Sequence, residues 1–136
     1  MARKNVVVTQ LYSNPLNPTV PFSLSSAFTT PITVVRDLDN CSYQINTATT
    51  DSTGSFLVEV SNDYYVNPAA DGTVTNPGSW SSLTLAGGTP SVNAVNDTIV
   101  INLNQLPFYA VRLRYAPNVP GTGTATVFIT HKQIGG

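Results

Sequence analysis

Hydrophobic and polar residues alternate along much of this chain with a period of two, which is the period of a half-buried β-strand. The alternation is clear at residues 41–46 and recurs at 56–61 and 99–103. No segment keeps a helical period of 3.6 residues over a useful length. The pattern predicts about seven or eight strands, which fall at residues 6–12, 32–35, 41–46, 56–61, 80–85, 99–103, 109–115 and 124–132.

Residues typical of turns separate these predicted strands. Asp51–Gly54, Gly87–Pro90 and Asn118–Gly123 each combine glycine or proline with short polar residues, as turns do. Many short strands joined by turns predict an all-β fold, an antiparallel β-sandwich of two sheets with jelly-roll or Greek-key topology. We assign this β-sandwich domain to residues 22–136.

Residues 1–21 are expected to form an extended N-terminal arm. A strand-like stretch is followed at once by prolines between residues 15 and 21, and proline prevents regular strand pairing. An extended arm can add a strand to the sheet of a neighbour, and the alternative is that the same strand pairs within its own sandwich. The candidate assembly contacts in this arm are Val6, Val8, Leu11 and Tyr12.

The composition limits the classes of partner. Charged residues make up 10% of the chain, and the formal net charge is −1, whereas a charged share of about 25% is usual. This balance argues against a sequence-independent nucleic-acid site, which needs clustered Lys and Arg, and against a polybasic membrane anchor. We therefore expect no nucleic acid and no membrane as partners. The basic residues near the N-terminus are not followed by an apolar stretch of useful length, so we also expect no signal peptide and no transmembrane segment. A low-charge surface suits a protein that is packed in an assembly or that faces sugars.

Few groups in the sequence suit catalysis. The chain has one histidine, His131, and one cysteine, Cys41, without the Gly-x-Ser-x-Gly motif of a serine nucleophile. Cys41 lies on the apolar side of its predicted strand, which favours a small buried hydrophobe over a nucleophile paired with His131. Zinc needs three or four nitrogen or sulfur ligands, and two are present. We predict a protein that is not an enzyme and that uses no cofactor and no metal.

Two groups of carboxylates have functional alternatives. Asp37 and Asp39 precede a strand, but the glycine and the distant glutamate of a calcium loop are missing, which favours a turn. Glu59 and Asp63 are close in sequence, and a glycosidase needs two carboxylates that face each other across a groove. Because Glu59 alternates outward on its strand, a catalytic pair is the less favoured interpretation.

Arg112 and Arg114 lie two positions apart on one predicted strand, so both side chains project from the same face. Adjacent guanidiniums form bidentate pairs with carboxylates or with the acidic groups of sugars. We expect either a solvated salt bridge to Glu59 or an aspartate, or a contact with another subunit. Both arginines are therefore candidate assembly contacts.

Trp80 is the only tryptophan, and two interpretations of it are open, one functional and one structural. Exposed beside Tyr64 and Tyr65, it would form a platform on which sugar rings stack. A tryptophan that begins a strand more often anchors the edge of the core.

Three stretches together resemble the small β-sandwich structural proteins of tailed bacteriophages. They are a strand that ends in Ser-Asn-Asp within residues 54–63, a Trp-x-x-Leu strand at 80–83, and an Ala-Val-Arg-Leu strand followed by a glycine-bearing hairpin within 107–132. The resemblance implies a non-enzymatic virion protein, a capsid decoration (cement) or tail accessory subunit, assembled in the host bacterial cytoplasm. It implies as partners the chain itself, in a homo-oligomer such as a trimer, and the major capsid protein or another virion protein.

The Ala-Val-Arg-Leu strand is also similar to the penultimate strand of discoidin-type jelly rolls that bind carbohydrate, although the paired cysteines of those domains are missing. The alternative hypothesis is therefore a carbohydrate-binding β-sandwich module on a phage tail or fibre. Its ligand platform would be Tyr64, Tyr65 and Trp80.

Overall fold

Strands and turns make up the chain in the computed structural model, which describes residues 3–12, 20–35, 40–48, 50–67, 73–85, 88–104, 108–119 and 121–135. None of these residues is helical. In chain order the strands are β1 (Arg3–Leu11), β2 (Phe22–Ser23), β3 (Phe28–Thr29), β4 (Thr33–Val34), β5 (Asn40–Ala48), β6 (Thr53–Ser61), β7 (Tyr65–Asn67), β8 (Thr73–Asn76), β9 (Ser81–Ser82), β10 (Ser91–Asn93), β11 (Thr98–Asn104), β12 (Ala110–Val119) and β13 (Thr124–Gly135).

Two antiparallel sheets pack against each other around one hydrophobic core. The five-stranded sheet has the order β1-β13-β5-β11, and the short β2 also pairs with β13. The six-stranded sheet has the order β10-β6-β12-β3, and the short strands β4 and β9 pair with β12 and β6. β7 and β8 form a separate hairpin. The predicted all-β, two-sheet antiparallel sandwich is confirmed.

The strand order identifies the topology as a jelly roll. β1 and β2 lie on the same side of β13, β3 and β4 on the same side of β12, and β9 and β10 on the same side of β6, so each pair fills one strand position. Apart from the β7–β8 hairpin, the described strands then fill eight positions, of which the first pairs with the eighth, the second with the seventh, the third with the sixth and the fourth with the fifth. A long antiparallel hairpin rolled around itself has this arrangement.

The core lies between the sheets because the long strands turn alternate residues inward. On β5, Cys41, Tyr43 and Ile45 are buried, whereas Gln44 between them is exposed. Burial of one large apolar side chain stabilises the fold by about 1.5–3 kcal/mol relative to exposure. The largest completely buried side chains are Tyr43, Tyr115, Phe56, Leu24, Ile45, Leu113 and Ile129.

Four aromatic rings join the two sheets. Phe22 on β2 stacks on Phe28 of β3, with ring centroids 4.5 Å apart. Phe28 also packs against Phe56 and Tyr115, at 6.2 Å and 5.4 Å. Because Phe22 belongs to the five-stranded sheet and the other three rings to the six-stranded sheet, their contacts help to set the spacing between the sheets.

The first strand resolves an alternative that the sequence left open. β1 pairs with β13 along its whole length. Residues 6–11 of the strand predicted at 6–12 therefore pair within their own sandwich rather than with a neighbour. Leu11 is buried in the core, Tyr12 is half-buried, and Val8 is 62% exposed. Residues 13–19, which complete most of the predicted arm, lie outside the described residues.

Tyr43 provides a test of how the core is packed. Its side chain is completely buried, and its hydroxyl has no hydrogen-bond partner in the described structure. Burial raises the pKa of Tyr43, so the hydroxyl stays protonated. Since an unpartnered buried polar group costs about 1–3 kcal/mol, Tyr43→Phe should leave the free energy of unfolding unchanged or raise it, as measured by urea denaturation.

Tyr43→Ala is the matched control, because removal of the whole ring should lower the free energy of unfolding by about 3–5 kcal/mol. If Tyr43→Phe lowered the free energy of unfolding by more than about 1 kcal/mol, the hydroxyl would have to be hydrogen-bonded, for example to a buried water.

Candidate functional site

A cluster of charged and aromatic side chains lies on the outer face of the six-stranded sheet. On β6 and β12 the residues that alternate with the core point outward, and the register places Arg112 directly opposite Glu59. Trp80 and Tyr64 come from the loops beside these strands. We call this cluster the Arg–Trp patch, and it consists of Glu59, Tyr64, Trp80, Arg112 and Arg114.

A single carboxylate faces two guanidiniums in the patch. Arg112 Nε donates a hydrogen bond of 2.8 Å to Glu59 Oε1. Arg114 Nη1 lies 3.8 Å from Glu59 Oε2, which is an ion pair without a hydrogen bond. The Glu59 side chain is 9% exposed, compared with 25% for Arg112 and 47% for Arg114. The Glu59–Arg salt bridge expected from the sequence is confirmed, and these three groups together carry a formal charge of +1.

Trp80 makes a second contact with Arg112. The guanidinium carbon of Arg112 lies 4.3 Å from the centre of the Trp80 ring, in the range of a cation–π contact. Trp80 Nε1 donates to the carbonyl of Pro77 at 3.0 Å, and the ring of Tyr64 packs beside it with centroids 6.0 Å apart. Arg112 is thus fixed between a carboxylate and an aromatic ring.

The loop that carries Trp80 is closed by Asp63. Asp63 Oδ1 accepts hydrogen bonds from Ser61 Oγ at 2.8 Å and from the Ser79 backbone N–H at 2.7 Å. The Ser79 and Ser61 hydrogen bonds lower the pKa of Asp63 because they stabilise its charged form. Gly78, which directly precedes Ser79, has a φ of 85°, and a Cβ at this position would lie 2.8 Å from Ser61 Oγ. The turn therefore needs glycine at this position.

The structure brings together some of the predicted site residues and separates others. Tyr64, Trp80, Arg112 and Arg114 meet in the patch, although the sequence assigned the aromatic pair to a sugar platform and the arginines to assembly. Tyr65 is 45% exposed on the β7–β8 hairpin. The candidate contacts of the first strand lie on the five-stranded sheet, away from the patch.

Cys41 and His131 are cross-strand neighbours, directly opposite each other on β5 and β13. His131 Nδ1 is nevertheless buried without a hydrogen-bond partner in the described structure, so the two side chains are not bonded through it. Burial raises the pKa of the Cys41 thiol to about 11, which keeps it protonated and unreactive at neutral pH. In the described part of the chain no group of three or more His, Cys, Asp or Glu could hold a metal ion.

A groove of about 410 Å³ lies beside β11. It forms where the outer edge of the five-stranded sheet faces the segment that leads into β10 of the other sheet, an arrangement of distant segments that the sequence did not reveal. Its walls carry no titratable group, so it offers contact area rather than acid–base chemistry. The lining residues are Leu85, Gly88, Thr89, Pro90, Ile99, Val100, Ile101 and Asn102.

The ion pair of the patch predicts an asymmetric response of stability. Arg112→Gln should lower the free energy of unfolding by about 1–3 kcal/mol, because it leaves the carboxylate of Glu59 buried without its hydrogen-bonded partner. Arg114→Gln should change it by less than about 0.5 kcal/mol, because Arg114 is half exposed and only loosely paired. Urea denaturation followed by the fluorescence of Trp80 measures both.

The double variant Arg112→Gln/Glu59→Gln is the control for this experiment. It removes the orphaned charge and should recover most of the loss. A double variant as unstable as Arg112→Gln alone would show that the loss comes from packing against Trp80 and not from the carboxylate.

The Asp63 turn predicts a dependence on pH. Because folding lowers the pKa of Asp63, the ionised carboxylate adds stability above its unfolded pKa of about 3.9, and this stability is lost as the pH falls through the lower folded pKa. The thermal midpoint of the protein should therefore exceed that of Asp63→Asn most at neutral pH, and the difference should shrink below about pH 4. A difference that stays constant from pH 7 to pH 2 would contradict this assignment.

Comparison with known proteins gives no family for the chain. No protein-family model matches the sequence, and no curated protein is significantly similar to it. No helix in the described residues is long and apolar enough to cross a membrane. A functional conclusion therefore depends on the jelly roll, on its two outer faces and on the phage-like resemblance, which stays a hypothesis.

Proposed function

We propose that the protein is a non-enzymatic structural subunit of a tailed-phage virion, a capsid decoration or cement protein that stabilises the head through lattice contacts. A jelly roll alone does not decide function, since the same fold occurs in capsid proteins, lectins and cupins. The observation that carries the proposal is the open edge of the five-stranded sheet at β11.

The sequence of β11 lacks the features that usually keep a sheet edge from pairing, although Leu85 and residues 88–90 face this edge across the groove. On one side β11 pairs with β5 without any register shift, and on the other side no described strand covers it. Natural edges are usually protected by lysine, proline, a bulge or short length. β11 has seven residues with no charge and no proline, and Val100, next to its central residue, is 56% exposed. Such an edge is a template for a strand from another chain.

The outer face of the five-stranded sheet suits a lattice contact as well. The described outward side chains of β5 and β11 are uncharged, and Val8 and Val100 add exposed apolar area, whereas the register places Lys132 at an outward position near the end of β13. Hydroxyls and amides are less costly to remove from water than charges are, so a partner can cover the β5–β11 part of this face at lower cost than a charged surface. The polar members of the face are Ser42, Gln44, Asn46, Asn102, Thr126 and Thr130.

The alternative of a carbohydrate-binding module has weaker support from the patch. A stacking platform needs an aromatic face that a sugar can reach, and Arg112 covers one face of Trp80. The indole N–H is also engaged by the Pro77 carbonyl. Tyr65 is exposed, but it lies on the β7–β8 hairpin and no described aromatic contact joins it to Trp80.

Electron cryomicroscopy of virions that contain this protein tests the proposal. Density for this jelly roll should occur regularly on the capsid lattice, with the β11 edge or the outer face of the five-stranded sheet against a neighbouring subunit. Density confined to the tail tip, together with glycan binding that Trp80→Ala abolishes, would instead favour the carbohydrate-binding alternative.

A pair of matched variants tests the role of the edge in the same assembly. Val100→Lys places a charge near the centre of β11 and should weaken binding of the purified protein to undecorated capsids by about tenfold or more. Val119→Lys makes the same change at a site that is 60% exposed on the other sheet and should leave binding unchanged. Equal binding by the wild type and both variants would remove β11 from the interface.

A further inference from the structure

We infer that the Arg–Trp patch is a binding site for a carboxylate side chain, aspartate or glutamate, presented by a partner protein. The inference goes beyond assembly through the β11 edge, because the patch lies on the opposite sheet. It also holds whether or not the chain is a virion subunit. Three properties of the patch support it: its charge, its free donors and the fixed position of Arg112.

The patch carries an excess of positive charge in a chain whose formal net charge is −1. Among the side chains that the structure describes, two belong to Lys or Arg, and both lie here on β12. The described carboxylates outside the patch are Asp51, Asp63 and Asp97. The two arginines and Glu59 leave an excess of one positive charge, which one further carboxylate would neutralise.

The patch has unused hydrogen-bond donors. Each guanidinium carries five N–H donors, and in the described structure the one that is hydrogen-bonded is Arg112 Nε–H, to Glu59. Arg114 makes an ion pair at 3.8 Å but no hydrogen bond. The two arginines are about 7 Å apart along the strand, so an incoming carboxylate can reach the terminal nitrogens of both. Planar guanidiniums match a carboxylate through two parallel N–H···O bonds.

One of the two arginines of the patch, Arg112, is held in place before any ligand arrives. Arg112 is held between the Trp80 ring and the Glu59 carboxylate, and the Asp63 turn fixes Trp80 in turn. The rotamer freedom of Arg112 is therefore already lost, and a ligand binds without the cost of ordering it.

The chemistry of the patch favours a protein carboxylate over other anions. Nucleic acid needs a stripe of many basic residues, and the described surface has two. An acidic sugar would be expected to stack on Trp80, whose ring already faces Arg112. A single carboxylate side chain needs neither, and its charge equals the excess on the patch.

A short acidic peptide tests the inference. The probe is the capped peptide acetyl-Gly-Glu-Gly-Glu-Gly-amide, and its neutral control has glutamine in place of glutamate. The acidic peptide should shift the Arg112 and Arg114 side-chain Nε resonances of ¹⁵N-labelled protein, with binding that weakens as salt is added. The neutral peptide should not shift them, and equal binding by the two peptides would overturn the inference.

Variants of the protein separate the patch from general electrostatics. Arg114→Gln should weaken peptide binding by about fivefold or more, whereas Lys132→Gln removes the same charge from the opposite sheet and should change it by less than about twofold. Arg114→Lys keeps the charge without the planar guanidinium, so its affinity for the peptide should lie between those of Arg114→Gln and Lys132→Gln. This variant also keeps the test valid if Arg114→Gln does not fold. Unchanged binding by Arg114→Gln, or tighter binding of trigalacturonate than of the peptide, would overturn the assignment. Either failure leaves the capsid location, which electron microscopy tests, unaffected.

Discussion

Each sheet of this molecule can bury one face, because its long strands alternate apolar and polar residues, and the other features follow from this constraint. The inward faces meet through Tyr43, Phe56, Leu113 and their neighbours, and this contact supplies the hydrophobic core. The outward faces must then remain in water or be covered by another molecule. The two outer faces differ: the described outward side chains of β5 and β11 on the five-stranded sheet are uncharged and mostly hydroxyls and amides, whereas the six-stranded sheet presents the ion-paired patch. The division of the surface into two distinct faces is thus a result of the alternation itself.

The sequence predicted the long strands well because each contains several periods of the alternation. Residues 41–46, 56–61 and 109–115 all fall in or mostly within strands β5, β6 and β12. Short strands such as β2 and β3 escaped it, since two residues are too few to show a period. The strand predicted at residues 80–85 contains β9, which is limited to Ser81–Ser82. The β7–β8 hairpin was not predicted, because residues typical of turns dominate the sequence between residues 62 and 79. Sequence could not choose between jelly roll and Greek key, because the choice depends on pairings between segments far apart in the chain, such as β1 with β13.

The same reasoning explains which parts of the patch were predictable. Strand periodicity placed Arg112, Arg114 and Glu59 on outward positions, and the expected salt bridge needed only that β6 and β12 be neighbours. The contact between Arg112 and Trp80 was not predictable in this way. It depends on the Asp63 side chain reaching the backbone of Ser79 across the intervening loop, and no periodic signal encodes such a contact. Local pattern therefore identifies which residues share a face, whereas loop closure decides which of them touch.

The pairing of β1 with β13 has a consequence for how the molecule is made. The first strand of the jelly roll finds its partner in the last one, with Arg3 opposite Gly135. During synthesis, β1 must therefore wait until almost the entire domain has left the ribosome before its edge is satisfied. Contacts between such distant segments are formed slowly, because loop closure costs entropy before pairing repays it. In that interval a strand containing three consecutive valines, Val6–Val8, has no sheet partner, and unpaired strands with exposed apolar residues are prone to aggregate.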